Sequence, residues 1–106
     1  MAMKIGDFIQ GKTTGDDYEI KSKIGEGGFG MAFLITRLSD NRDYIAKEPK
    51  DLDKKLIKAL NSEFTVLDNL EKKNVPYVAK AIEMTEYLNQ VGNMVPVLIL
   101  EKAAGE

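Results

Sequence analysis

Apolar and polar residues alternate along "YEIKSKI" (18–24), where Tyr18, Ile20 and Ile24 stand against Glu19, Lys21 and Lys23. That period of two predicts a half-buried strand, which ends at a cluster of glycines. Beyond it "MAFLITRL" (31–38) is apolar, aromatic and β-branched, "SDNRD" (39–43) supplies turn residues, and "YIAKE" (44–48) is strand-like again. These three segments predict an antiparallel meander. Pro49 closes the third strand, Asp51 can cap a helix, and Asn74 with Pro76 stop it. Leucines at 52, 56, 60, 67 and 70 recur at steps of three and four or their sums. At roughly 100° per residue they fall within about 80° of arc, one stripe facing a core. Glu63 lies near the centre of that stripe. "YVAKAIEMTEYL" (77–88) and "MVPVLILE" (94–101), joined by "NQVGN", predict a second hairpin. The expected fold is α+β: a five-stranded antiparallel sheet with one main helix. Residues 1–17, with Ile5, Phe8 and Ile9 ahead of a Gly/Thr/Asp cluster, read as a leading docking segment followed by a turn, in which Met1 and Ala2 form a leader.

Composition narrows the function classes. The chain has 106 residues, 43% hydrophobic and 30% charged, enough for one small unit with a buried core rather than a disordered polymer. Its 15 basic and 17 acidic residues are spread along the sequence for a net charge of −2, so no electrostatic footprint for nucleic acid or an anionic membrane is expected. The chain has no cysteine and no histidine, which argues against a disulfide framework, thiolate metal sites and a zinc enzyme; no metal-ligating residues are expected. The longest apolar run, "MVPVLIL" (94–100), is too short to span a bilayer, and the start of the chain lacks a signal-peptide h-region, so a cytoplasmic location is expected.

Candidate chemistry begins at "IGEGGFGMAF" (24–33), which packs Gly25, Gly27, Gly28 and Gly30 around Phe29. G-x-G-x-x-G alone is weak evidence. In a dinucleotide-binding fold it must run from a strand into a helix, whereas here it runs into the β-branched "MAFLITRL". A strand–loop–strand hairpin remains, and its bare backbone N–H groups could lie over phosphates. An ordinary hairpin turn needs one or two glycines rather than four.

Lys47 follows Gly25 by twenty-two residues, and alternation places Ile45 and Lys47 on one strand face with Tyr44, Ala46 and Glu48 on the other. A lysine at a strand end is ordinarily solvated. A carboxylate amid a leucine stripe is costly if buried and unpaired, so Glu63 needs a cation, unless it reaches solvent at the helix edge or pairs with a local lysine such as Lys58.

Together these residues resemble the N-terminal lobe of the eukaryotic-type protein kinase family over residues 18–106. The resemblance rests on "IGEGGFGMAF" as the glycine-rich loop, "YIAK" as the strand bearing the ATP lysine, "EFTVLDNL" (63–70) as the helix bearing its glutamate partner, and "VLILEKAAGE" (97–106) as the fifth strand and hinge. It implies that Gly25, Gly27 and Gly30 form a phosphate flap capped by Phe29, and that Lys47 holds the α- and β-phosphates of ATP while paired with Glu63. It further implies a nucleotide-binding set of Ile24, Gly25, Glu26, Gly27, Gly28, Phe29, Gly30, Ala32, Ile45, Lys47, Leu100, Glu101 and Ala103. Within that set, Leu100 matches the gatekeeper, while the Glu101 carbonyl and the Ala103 amide meet the adenine edge. Leu67 would join the hydrophobic spine, and Glu106 lies near the ribose-binding acid. The look of "YEIKSKIGEGGFG" favours Ser/Thr specificity.

The chain departs from the family at the two residues that would roof the adenine, where Ala32 replaces a valine and Ile45 an alanine. Total volume is roughly conserved, and the ring is expected to shift toward Ala32. The H-R-D-x-x-x-x-N and D-F-G motifs are not in this sequence, so the fragment alone is expected to be inactive. Mg²⁺ and the protein substrate would be held by the second lobe of a larger parent. A lobe lacking that partner would expose apolar surface around Leu67, with self-association as the expected result. Two other readings stay open: a pseudokinase lobe that binds a nucleotide or partner without chemistry, and a small α+β interaction domain with a coincidental glycine turn.

Overall fold

A computed structural model describes residues 3–27, 30–73 and 80–102. Along the chain they form β1 (Phe8–Gln10), β2 (Asp17–Glu26), β3 (Gly30–Arg37), β4 (Asp43–Pro49), α1 (Lys54–Lys72), β5 (Ala81–Leu88) and β6 (Met94–Glu101). All neighbouring strands are antiparallel, in the order β1-β2-β3-β4-β6-β5. The class is α+β as expected, but the sheet has six strands rather than five. The additional strand is β1: Phe8, Ile9 and Gln10 pair with Glu19, Tyr18 and Asp17 of β2. The edge strands β1 and β5 then curl toward each other, and the Thr85 hydroxyl donates to the Gln10 carbonyl at 2.6 Å, giving a nearly barrel-shaped sheet.

Period-two alternation sorts the side chains onto two faces. The inner face buries Tyr18, Ile20, Phe33, Ile35, Tyr44, Ala46, Val97 and Ile99, together with Met3 and Ile9 from the leading segment. The outer face carries Ile45, Met84, Leu98 and Leu100, and α1 covers it with Leu60, Phe64 and Leu67. Leu60 is completely buried, so α1 is held to the sheet by the stripe its leucine spacing predicts.

The helix begins later than the sequence suggests. Asp53 is the N-cap, its carboxylate accepting the Lys55 N–H at 2.7 Å, while the Asp51 carboxylate instead accepts the Asp53 N–H at 2.9 Å. Leu52 therefore precedes the helix. Two consecutive aspartate turns compete for the start, and the one that leaves a cap facing the first helical amides prevails. Asn74 and Pro76 lie outside the described residues. No helix among the described residues is long and apolar enough to cross a membrane.

Two carboxylates enter the inner face. Glu83 is 2% exposed and accepts the Thr13 N–H at 2.8 Å and the Thr14 hydroxyl at 2.6 Å, which ties the β1–β2 turn to β5. Glu48 is wholly buried at the end of β4.

Candidate functional site

The β2–β3 hairpin and β4 meet in register, Gly25 lying opposite Ala32 and Ala32 opposite Lys47. Because cross-strand partners share a face, Ala32, Lys47 and Leu98 form a row on the outer surface, with Leu34, Ile45 and Leu100 forming the next. A cavity of about 240 Å³ opens above the first row, walled by Gly25, Glu26, Gly27, Gly30, Met31, Ala32 and Lys47. Ile24, Ile45, Leu100 and Glu101 lie outside that wall. Ile45 packs instead against the cluster of Leu60, Ala81, Leu98 and Leu100 beneath the helix, and Ile24 is exposed on the hairpin. Gly28, Phe29, Ala103 and Glu106 lie outside the described residues.

Glu63 projects from α1 toward this row, and its Oε2 accepts from the Lys47 Nζ at 2.9 Å. The two side chains are 32% and 34% exposed, so the pair sits at the rim between helix and sheet rather than in the core. Of the partners open to Glu63 on sequence grounds, the strand lysine is the one it takes. The pair leaves further Lys47 N–H donors for a ligand in the cavity, since an ammonium group carries three.

The three motif glycines differ in why they are glycine. At Gly30 an added Cβ would stand 2.0 Å from the Glu48 carbonyl oxygen and 2.9 Å from the Lys50 nitrogen, so contact between β3 and β4 excludes any side chain. At Gly25 and Gly27 a Cβ would meet nothing within 4 Å among the described residues, and neither has a positive φ. Among the described residues, packing and backbone therefore place no demand for glycine at 25 or 27. The Gly27 N–H closes the hairpin by donating to the Gly30 carbonyl at 2.9 Å.

Glu48 was not among the residues singled out by sequence, although its inward parity with Tyr44 and Ala46 is a signal that could have found it. Its Oε1 accepts the Met3 N–H at 2.9 Å and its Oε2 the Tyr87 hydroxyl at 2.5 Å. Burial raises the carboxyl pKa above its ordinary value, against the opposing effect of those two donors. Burial and the adjacent Glu48 carboxylate likewise push the Tyr87 phenol upward.

No group of three or more His, Cys, Asp or Glu side chains that could hold a metal ion occurs among the described residues.

No family model matches the sequence. Among solved structures the chain is similar to vaccinia related kinase 3, with a TM-score of 0.63 and 14% identity over 96% of this chain. It spans 31% of that kinase's length. At this identity the likeness is one of architecture, and the chain has a fold like the small lobe of a protein kinase.

Proposed function

We propose that this chain is the ATP-binding small lobe of a Ser/Thr-type protein kinase, in which the cavity under the β2–β3 hairpin receives the phosphates. The observation that carries this reading is the pairing of two glycines that nothing among the described residues requires with a lysine amine on the cavity wall. A backbone without Cβ atoms admits a polyphosphate close to its amides, and Lys47 supplies the compensating charge. Glu63 orients that lysine from the helix. Bound ATP brings a transferable γ-phosphoryl group. This chain's residues bind and orient it, whereas the catalytic base and the metal ligands belong to the remainder of the parent.

The adenine would lie beside Ala32, at the edge of the second row where α1 covers Ile45 and Leu100. Those two residues stand directly opposite each other across β4 and β6. Because Ile45 is engaged beneath the helix, the space on its side is reduced and the ring is directed toward Ala32. The reading is tested by titrating the chain with MgATP. Saturable binding that Lys47→Met and Gly27→Val both weaken supports it; binding indifferent to either substitution overturns it.

A further inference from the structure

We propose that Glu48 is a positioning residue for Lys47, and that the leading segment of the chain sets the geometry of the candidate site through it. This rests on the nucleotide reading above for its functional meaning. Glu48 follows Lys47 directly and faces the opposite side of β4, so the two side chains share one stretch of backbone. On the inner side its carboxylate joins the Met3 N–H, 45 residues away, to the Tyr87 hydroxyl, 39 residues away. On the strand itself its carbonyl oxygen is the atom that excludes a side chain at Gly30. Gly30 in turn lies opposite Pro49 and carries the end of the glycine loop. One residue thus contacts the leading segment, β5 and the base of the loop while adjoining the lysine.

The leading segment is itself held in place. The Met3 side chain is 3% exposed within the inner core, the Gly6 N–H donates to the Ile20 carbonyl at 2.8 Å, and the Ile20 N–H donates to the Asp7 carbonyl at 2.8 Å. A fully buried carboxylate that loses a donor is penalised strongly, so the joint closes as a unit. No lysine or arginine pairs with Glu48 among the described residues, where the Met3 amide and the Tyr87 hydroxyl are the donors its carboxylate accepts from. Withdrawal of the leading segment would therefore free the end of β4, and with it both Lys47 and the Gly30 end of the loop.

The test compares the isotope-labelled chain with Met3→Pro, which deletes the donating N–H, and with Tyr87→Phe, which deletes the hydroxyl; neither substitution touches the cavity. Folding is checked by circular dichroism. In the folded variants the Lys47 side-chain amine and Gly30 amide resonances are expected to shift, and MgATP affinity to fall about tenfold. Glu48→Gln, which still accepts the Met3 N–H, should lie closer to wild type than Met3→Pro. Folded variants whose Lys47 and Gly30 resonances stay in place overturn the proposal, whatever the affinity. If Met3→Pro does not fold, Tyr87→Phe decides; unfolding of both assigns the joint to stability alone and also overturns it. Shifted resonances in a chain that never binds MgATP would uphold the positioning and defeat the nucleotide reading, so the two failures are distinct.

Discussion

The Lys47 Nζ and the Glu63 Oε2 lie 2.9 Å apart, an ion pair that bridges β4 and α1 at a rim about one-third exposed. At that exposure water screens the attraction, and such pairs contribute about 0–1 kcal/mol to stability. A double-mutant cycle with Lys47→Met and Glu63→Gln, followed by urea unfolding, should give a coupling of about 0.5 kcal/mol that shrinks further in high salt. A coupling of several kcal/mol would mean that the pair is a structural strut instead of a tool for a ligand.

Glycine substitutions should separate by position. Gly30→Ala drives a Cβ into the Glu48 carbonyl, a backbone atom that cannot step aside, and is expected to cost about 3 kcal/mol. Gly27→Ala meets nothing within 4 Å among the described residues and should change stability by no more than about 0.5 kcal/mol while still weakening nucleotide binding. Thermal or urea unfolding of the two variants checks the contrast. Equal losses would mean that the two glycines serve the same structural purpose.

The β1–β2 turn depends on a buried acid. Thr14→Val removes the hydroxyl that donates to Glu83 at 2.6 Å, and the loss of a hydrogen bond to a buried charged group is expected to cost about 2 kcal/mol. Urea unfolding measures it, and a neutral result would show that Glu83 finds another donor at no penalty.

Glu48 gives the fold a defined response to pH. Burial raises its folded pKa above the ordinary 4.5, so the folded chain holds this proton more tightly than the unfolded chain does. Its contribution to stability is fully present below about pH 4.5 and is lost as pH rises through the raised folded value. Over that window the stability of wild type relative to Glu48→Gln should fall with rising pH and then level off. Parallel profiles for the two proteins would contradict the assignment.

Much of this architecture was legible from periodicity. The meander, the second hairpin and the leucine stripe of α1 all follow from apolar spacing; the cost of a carboxylate in that stripe shows that Glu63 needs a cation, while Lys47 as that cation came from the family resemblance. What escaped had weaker local signals. β1 is three residues long, and it becomes a strand by pairing with β2 rather than through any alternation of its own. The cap moved from Asp51 to Asp53 because both are good caps and only the path of the chain into α1 chooses between them. Glu48 and Glu83 find their donors 39 to 70 residues away, and no local window contains such partners. In the candidate site, strand register brings Gly25, Gly27, Gly30, Ala32 and Lys47 to one cavity wall, a grouping that the sequence offered only through the family resemblance. The distance between Ile45 and the cavity depended on how the helix packs, which spacing does not reveal.

The central claim, that phosphates sit between the hairpin and Lys47, is tested most directly by treating the chain with an acyl-phosphate derivative of ATP and mapping the acylated lysines by mass spectrometry. Its reactive carbonyl is carried on the phosphate, so an amine held at the phosphates is acylated first. The account predicts that Lys47 is labelled preferentially, and that excess MgATP protects Lys47 while leaving the surface lysines unaffected. Labelling spread evenly over the lysines, or a Lys47 signal that MgATP does not suppress, would contradict it.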